Sequence, residues 1–310
     1  MWFMSSCPPA GYSASDAQYS HALYYLLKQL GVNAYRSNLP TGSLDSERAT
    51  RWANALGTTN ALLLNFSLLT ATERPSQATV NARVQAGALF VAAMVADGVP
   101  AANIVCACMN EPTSTLTYGD STIPDAALIT TCQYILEAFA TYMPAGVQTG
   151  SPTFYGADTD FLGANIGAWA VAGQSMSWNF SVLNTYPQVP ADGRQPSEYG
   201  QEVAWLVNNQ VSLLKQCFND MPVWITETAP FASSLGSVYN PASYVAYQLA
   251  ALQAIPVGGH LGNGALGSYG ALSNTQNQPS GAIELDGWTL LDGTMSNTGN
   301  AMLEIAAAVV

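Results

Sequence analysis

Eight times along its length this chain repeats one pattern: a short apolar run of strand character, then a longer segment whose apolar residues recur at helical spacing. Strands that alternate with helices lie parallel, because each helix carries the chain back to where the next strand starts. The strand-like runs are MWFMSS, VNAYRSN, NALLLNF, NIVCACMNE, GVQTGSP, NFSVLNTYP, PVWITETA and GALGSYG. Between them stand SDAQYSHALYYLLKQLG, SERATRWANALG, SQATVNARVQAGALFVAAMVADG, DAALITTCQYILEAFATYM, a less regular stretch over 159–169, SEYGQEVAWLVNNQVSLLKQCF, PASYVAYQLAALQAI and the closing NTGNAMLEIAAAVV. In the first helix Ala17, Leu23, Leu26, Leu27 and Leu30 keep the period, and Gly31 stops it.

Eight such units with no linker predict a single (β/α)8 TIM barrel, with residues 1–310 forming one domain. A doubly wound open sheet is the alternative. It would carry a phosphate-binding glycine loop after its first strand, and none follows MWFMSS. The glycines gather at Gly258 to Gly270 instead, without the lysine or the spacing of a phosphate cradle.

Charge narrows the partners. Only 9% of residues are charged, against about 25% in an ordinary domain. Eight Lys and Arg against twenty Asp and Glu give a net charge of -12. That balance repels nucleic acid and anionic membranes and is compatible with a neutral polysaccharide. No apolar run reaches the length of a membrane span. Two histidines, His21 and His260, are too few for most His-based metal sites, and no metal or cofactor is expected. Five cysteines match no zinc spacing. Cys106 and Cys108 point to one side of one strand, so buried thiols are expected, with a bridge to Cys132 as the alternative. MWFMSS lacks the basic region and apolar core of a signal peptide. A leader can be removed, and the expected location is extracellular.

In a barrel the chemistry sits where strands end. The last polar residues of the runs are Arg36, Asn65, Asn110 with Glu111, Asn184 with Tyr186, Glu227 and Tyr269. Glu111 and Glu227 each close an otherwise apolar strand, in a chain that spends few charges. A pair of carboxyl groups flanking a glycosidic bond is the minimum apparatus for hydrolysing it. One stays protonated to help the leaving oxygen; the other stays ionised to attack the sugar carbon.

These motifs, in this order, resemble the retaining glycoside hydrolases of clan A. Members end strand four in Asn-Glu, often Asn-Glu-Pro, and strand seven in a second glutamate; MNEP and WITET match both. GVNAYR resembles the second-strand motif of cellulase- and mannanase-like members, NTYP the sixth-strand segment, and GWTLLDGT the run before the last helix. The resemblance implies Glu111 as acid/base, Glu227 as nucleophile, and Asn110 on the sugar 2-hydroxyl. It also implies that Arg36 and Tyr186 hold Glu227 ionised. Asn65 and Asn184 stand where many members carry histidine, and Tyr269 where they carry tryptophan. The expected substrate is an internal linkage of a β-glucan or β-mannan, and the expected enzyme is a monomer. Alternatives are an exo-acting β-glycosidase, a transglycosylase, or a carbohydrate-binding barrel without catalysis.

Each residue also has a plainer reading. Arg36 suits a buried ion pair, Tyr186 and Tyr269 simple packing, and Asn65 and Asn184 loop caps. Trp52, Trp169 and Trp205 fall on helix patterns and are expected in the core. Trp178 is a loop aromatic or a strand anchor, and Trp288 a sugar platform or a plug. Glu284 and Asp286 follow no apolar strand and are expected in solvent. Asp45 and Glu47 suit a helix start.

Overall fold

The computed structural model of the protein describes residues 2–6, 34–39, 46–66, 74–110, 125–156, 171–185, 195–228, 250, 265–268, 272–273 and 289–290. Eight strands fall on the eight apolar runs, the fifth extending beyond its run: β1 (Trp2–Ser6), β2 (Ala34–Asn38), β3 (Ala61–Asn65), β4 (Ile104–Ala107), β5 (Gln148–Gly156), β6 (Phe180–Thr185), β7 (Val223–Thr228) and β8 (Ala265–Ser268). Neighbours pair in parallel and in chain order, and β8 returns to pair with β1. The sheet is therefore a closed barrel, and an open doubly wound sheet does not describe it. Two short strands, β9 (Leu272–Ser273) and β10 (Thr289–Leu290), pair separately.

The described helices are α1 (Ser46–Leu56), α2 (Gln77–Ala96), α3 (Asp125–Tyr142) and α4 (Pro196–Cys217), each where the helical period predicts one. The segments expected to be helical over 15–31, 159–169 and 297–310 lie outside the described residues; Ala250, within PASYVAYQLAALQAI, is helical. Local chemistry fixes the helix ends. Ser76 caps α2 by accepting from the Thr79 N–H at 3.2 Å, which satisfies a donor the first turn leaves over. Gly98, at φ +102°, ends the same helix, and the Val99 N–H returns to the Met94 carbonyl at 3.1 Å. A left-handed residue is what such a reversal requires. Gln195 and Glu198 make a reciprocal capping box on α4, with Pro196 in the first turn.

Burial separates into two shells. Ala61, Leu63, Val105, Ala107, Phe180, Val182 and Trp224 form one cluster. The residues alternating with them, including Leu62, Leu64, Ile104, Cys106, Leu183 and Ile225, join a second cluster with Trp52, Val84, Phe90, Ile135 and Phe139 of the helices. Period-two alternation identifies the first as the barrel interior and the second as the layer between barrel and helices. Helix α2 is long and apolar enough to span a membrane by composition, contrary to the expectation from the sequence. Its Val80, Val84, Phe90, Val91 and Met94 are buried in the outer layer, which makes it a barrel wall. Trp178 anchors that layer too, edge-on to Phe218 at 5.4 Å.

Trp205 corrects another expectation. It is 62% exposed. Gly200, Val211 and Leu214 set the buried face of α4, and Trp205 lies about 140° round from Gly200 at the α-helical pitch. Trp52 is buried as expected, and Trp169 lies outside the described residues.

Two ladders contain one extra residue each. From Gly150 to Thr153, β5 advances three positions while β6 advances two, Phe180 to Val182. From Leu183 to Asn184, β6 advances one position while β7 advances two, Ile225 to Glu227. Because strand faces alternate every residue, one inserted residue exchanges inside for outside beyond it. Above the first bulge Thr153 joins the inner face and Phe154 the outer shell. Above the second, position 227 shares the face of Asn184. The sequence reading ended the fifth strand at Pro152; the strand runs on to Gly156.

Candidate active site

The inward columns of β3 and β6 read Ala61, Leu63, Asn65 and Phe180, Val182, Asn184. Each is apolar twice and then an amide, so polarity begins at one level near the C-terminal ends of the strands. Arg36 reaches this level from the middle of β2, whose last residue is Asn38. Its Nη2 donates to Asn110 Oδ1 at 2.6 Å. Asn184 Nδ2 approaches the same oxygen at 3.5 Å, a long contact. Asn110 lies just past β4 and forms a parallel bridge with Thr153. The Thr153 N–H donates to the Met109 carbonyl at 2.7 Å.

The amide of Asn65 completes the cluster. With its nitrogen toward Asn110, it would direct N–H groups at a guanidinium that has only donors. Turned over, Asn65 Oδ1 accepts from Arg36 Nε at 2.9 Å and also from Nη2. The 3.5 Å approach of the two asparagine side chains is then two carbonyl oxygens sharing one cation. The Asn65 nitrogen faces Thr153 Oγ1 at 3.3 Å, and a hydroxyl accepts as readily as it donates. Arg36 is 5% exposed, and Asn65, Thr153 and Asn184 are fully buried. Burial at this depth demands such partners, since an unsolvated cation without them is costly.

Four of the residues expected at the site, Arg36, Asn65, Asn110 and Asn184, thus meet. Asn65 and Asn184 are members of the cluster and not loop caps. Glu227 stands in β7 directly across the ladder from Asn184; its side chain lies outside what the structure describes. Glu111 follows Asn110 in the chain and, with Tyr186, Tyr269 and Trp288, lies outside the described residues. Thr153 was missed because the fifth strand was read as too short, and because parity counted from Gly150 assigns it to the outer face.

Behind β4, on the helix side, Cys106, Cys108 and Cys132 are buried free thiols. Burial pushes Cys106 up to about 12. Cys108 is raised as well, by burial first and then by the Cys132 thiol hydrogen-bonded beside it. Protonated and enclosed, Cys106 and Cys108 are packing groups and not nucleophiles.

No family model matches the chain, and no curated protein matches it in sequence. Solved structures match it in fold. A glucosidase from Croceicoccus marinus has a TM-score of 0.64 at 12% identity, over 99% of this chain and 67% of that one. GH5_18 from Streptomyces cattleya, in complex with GlcNAc, gives 0.65 at 13% identity, over 99% and 79%. A family 39 glycoside hydrolase from Bacteroides cellulosilyticus gives 0.62 at 13%, over 99% and 63%. The chain therefore has the α/β barrel architecture of these glycoside hydrolases.

Proposed function

We propose that the protein is a retaining glycoside hydrolase acting on β-glycosidic bonds, its whole chain one (β/α)8 catalytic barrel. One observation carries the reading: Arg36, Asn65 and Asn184 gather around Asn110, the residue before Glu111, with Glu227 across the ladder from Asn184. Glu227 is carried by β7 beside Asn184, and Glu111 is the next residue in the chain after Asn110.

In the first step Glu227 attacks the anomeric carbon while Glu111 gives its proton to the departing oxygen. The C–O bond of the glycoside breaks and a glycosyl–Glu227 ester forms. In the second, Glu111 takes a proton from water, the water oxygen bonds to the same carbon from the opposite face, and the Glu227 carboxylate leaves. Two inversions return the β-configuration, and this geometry places the carboxyl groups about 5–5.5 Å apart. Asn110 addresses the sugar 2-hydroxyl. Arg36 and Tyr186 keep Glu227 ionised, as a neighbouring cation and a hydrogen-bond donor favour the charged form. Tyr269 and Trp288 supply aromatic faces for the sugar rings.

The substrate that fits a net charge of -12 is a neutral oligo- or polysaccharide, a β-glucan or β-mannan cut internally by a monomeric extracellular enzyme. Neither metal nor cofactor enters the steps above. The test is turnover of aryl β-glucosides and β-mannosides, followed by proton NMR. Activity lost in Glu227→Gln and a β-anomer formed first support the reading. An α-anomer preceding mutarotation would remove the retaining mechanism, and undiminished activity in the variant would remove Glu227.

A further inference from the structure

The bulge in β5 is a built feature. Pro152 occupies it, where a missing N–H costs the ladder nothing. The hydroxyl of Ser151, fully buried, donates to the Pro152 carbonyl at 2.7 Å and accepts the Val182 N–H at 2.9 Å. It thus serves a strand donor that the inserted residue would otherwise leave over. Gly150 before it is closely packed, since an added Cβ would lie 3.0 Å from Val182 Cγ2 and 3.3 Å from the Ala107 backbone and its neighbours would have to give way. Below the bulge, β5 is pressed against its neighbours; above it, the parity of the strand is reversed.

The reversal has one chemical product. It takes Thr153 from the outer layer to the inner face, where its backbone N–H binds Met109 and its hydroxyl meets the Asn65 amide. These contacts bracket Asn110 from two sides. The backbone bond fixes the peptide just before it, and the hydroxyl fixes the amide that shares the Arg36 guanidinium with it. We propose that Thr153 is a positioning residue: through Asn65 and Arg36 it sets the side chain of Asn110, and the Ser151–Pro152 bulge exists to bring it there. The proposal rests on the reading of Asn110 and Glu111 as parts of a glycosidase site, and it assigns a role to a residue that no carboxylate or motif argument reaches.

Thr153→Val keeps the shape of the side chain and the backbone bond and removes the hydroxyl. Thr153→Ser keeps the hydroxyl. Two readouts separate positioning from plain packing. The first is steady-state turnover of an aryl β-glycoside. Thr153→Val should lower kcat about tenfold while KM changes less than about twofold, and Thr153→Ser should restore kcat to within about threefold. The second does not need activity. Six arginines give a simple Nε–H region in a nitrogen-15 spectrum, and the Arg36 signal is assigned by its loss in Arg36→Lys. Its exchange protection should fall in Thr153→Val and persist in Thr153→Ser. A protected Arg36 signal in Thr153→Val, or equal loss of kcat in both variants, overturns the proposal. A wild-type protein inactive on every aryl glycoside would remove the catalytic reading instead, and the Arg36 signal would still decide the placement of Thr153.

Discussion

Replacing Arg36 by lysine keeps the charge and dismantles the fork. In the native cluster the guanidinium gives separate donors to two amide oxygens, Asn110 Oδ1 at 2.6 Å from Nη2 and Asn65 Oδ1 at 2.9 Å from Nε. A hydrogen bond to a charged group contributes about 1.5–3 kcal/mol. A lysine ammonium on a flexible stem reaches one oxygen well and not both, so about 2 kcal/mol of that interaction is lost. With a urea m-value of about 3 kcal/mol/M for a chain of this size, the midpoint should fall by about 0.7 M. If Asn110 is as misplaced in the transition state as in the resting protein, the same 2 kcal/mol lowers kcat/KM about thirtyfold. Urea unfolding followed by tryptophan fluorescence gives the first number, and aryl β-glycoside kinetics the second. An unchanged midpoint would refute the hydrogen-bond geometry. A lowered midpoint with wild-type kcat/KM would leave Arg36 a structural cation with no part in the reaction.

The carboxylate roles are checked by azide rescue: Glu111→Ala with a good leaving group should release the β-glycosyl azide and Glu227→Ala the α-azide, and the reverse pattern exchanges their roles. The thiols make stability pH-dependent in a defined window. Cys106 stays protonated in the fold up to about 12 while the unfolded thiol ionises from 9.0, so its contribution is complete below 9.0 and is lost above it by about 1.4 kcal/mol per pH unit. Cys106→Ala should therefore lose stability less steeply with alkali than wild type, and parallel unfolding curves would sink the assignment. Reducing agent should leave activity intact, and unreduced mass spectrometry should find Cys106, Cys108 and Cys132 unbridged; a stoichiometric disulfide among them counts against this. Phe218→Ala, which empties a site stacked on Phe154 at 5.1 Å, should cost about 3–5 kcal/mol, whereas Trp205→Ser on the exposed face should stay within about 0.5 kcal/mol of wild type. Matching thermal shifts for the two would mean that the buried place of Phe218, just past α4, or the exposed one of Trp205 is misassigned.

What the sequence disclosed and what it withheld follow one line. Strands and helices were legible because each has a period, and Gly98 announces the end of α2. Arg36, Asn65, Asn110 and Asn184 were legible as polar residues at or near the ends of apolar runs, and Asn65 and Asn184 stand in columns that keep parity from bottom to top. Parity is also where the reading failed. An inserted residue leaves no mark in a hydrophobic pattern: Ser151 and Pro152 look like a turn, and Thr153 beyond them looks like loop. Only the partner strand, hydrogen-bonded at Val182, shows that the strand continues with its faces exchanged. Trp205 failed for a related reason, because an aromatic on a helical segment reveals its type and not its angle to the neighbouring sheet.

The apolar interior beneath the polar level has a consequence for the electric field of the site. Leu63, Val105, Val182, Phe180 and Trp224 fill the lower barrel with hydrocarbon, a medium that polarises little. The charge on Arg36 is permanent, and its head lies beside Asn65 and Asn110, above this filling. Field lines avoid a poorly polarisable floor and spread toward the side where dipoles and solvent can respond. The packed half of the barrel thus acts as a reflector. It sends the potential of one guanidinium toward the C-terminal rim, where Glu227 is carried by its strand and where a negative charge gains most from it.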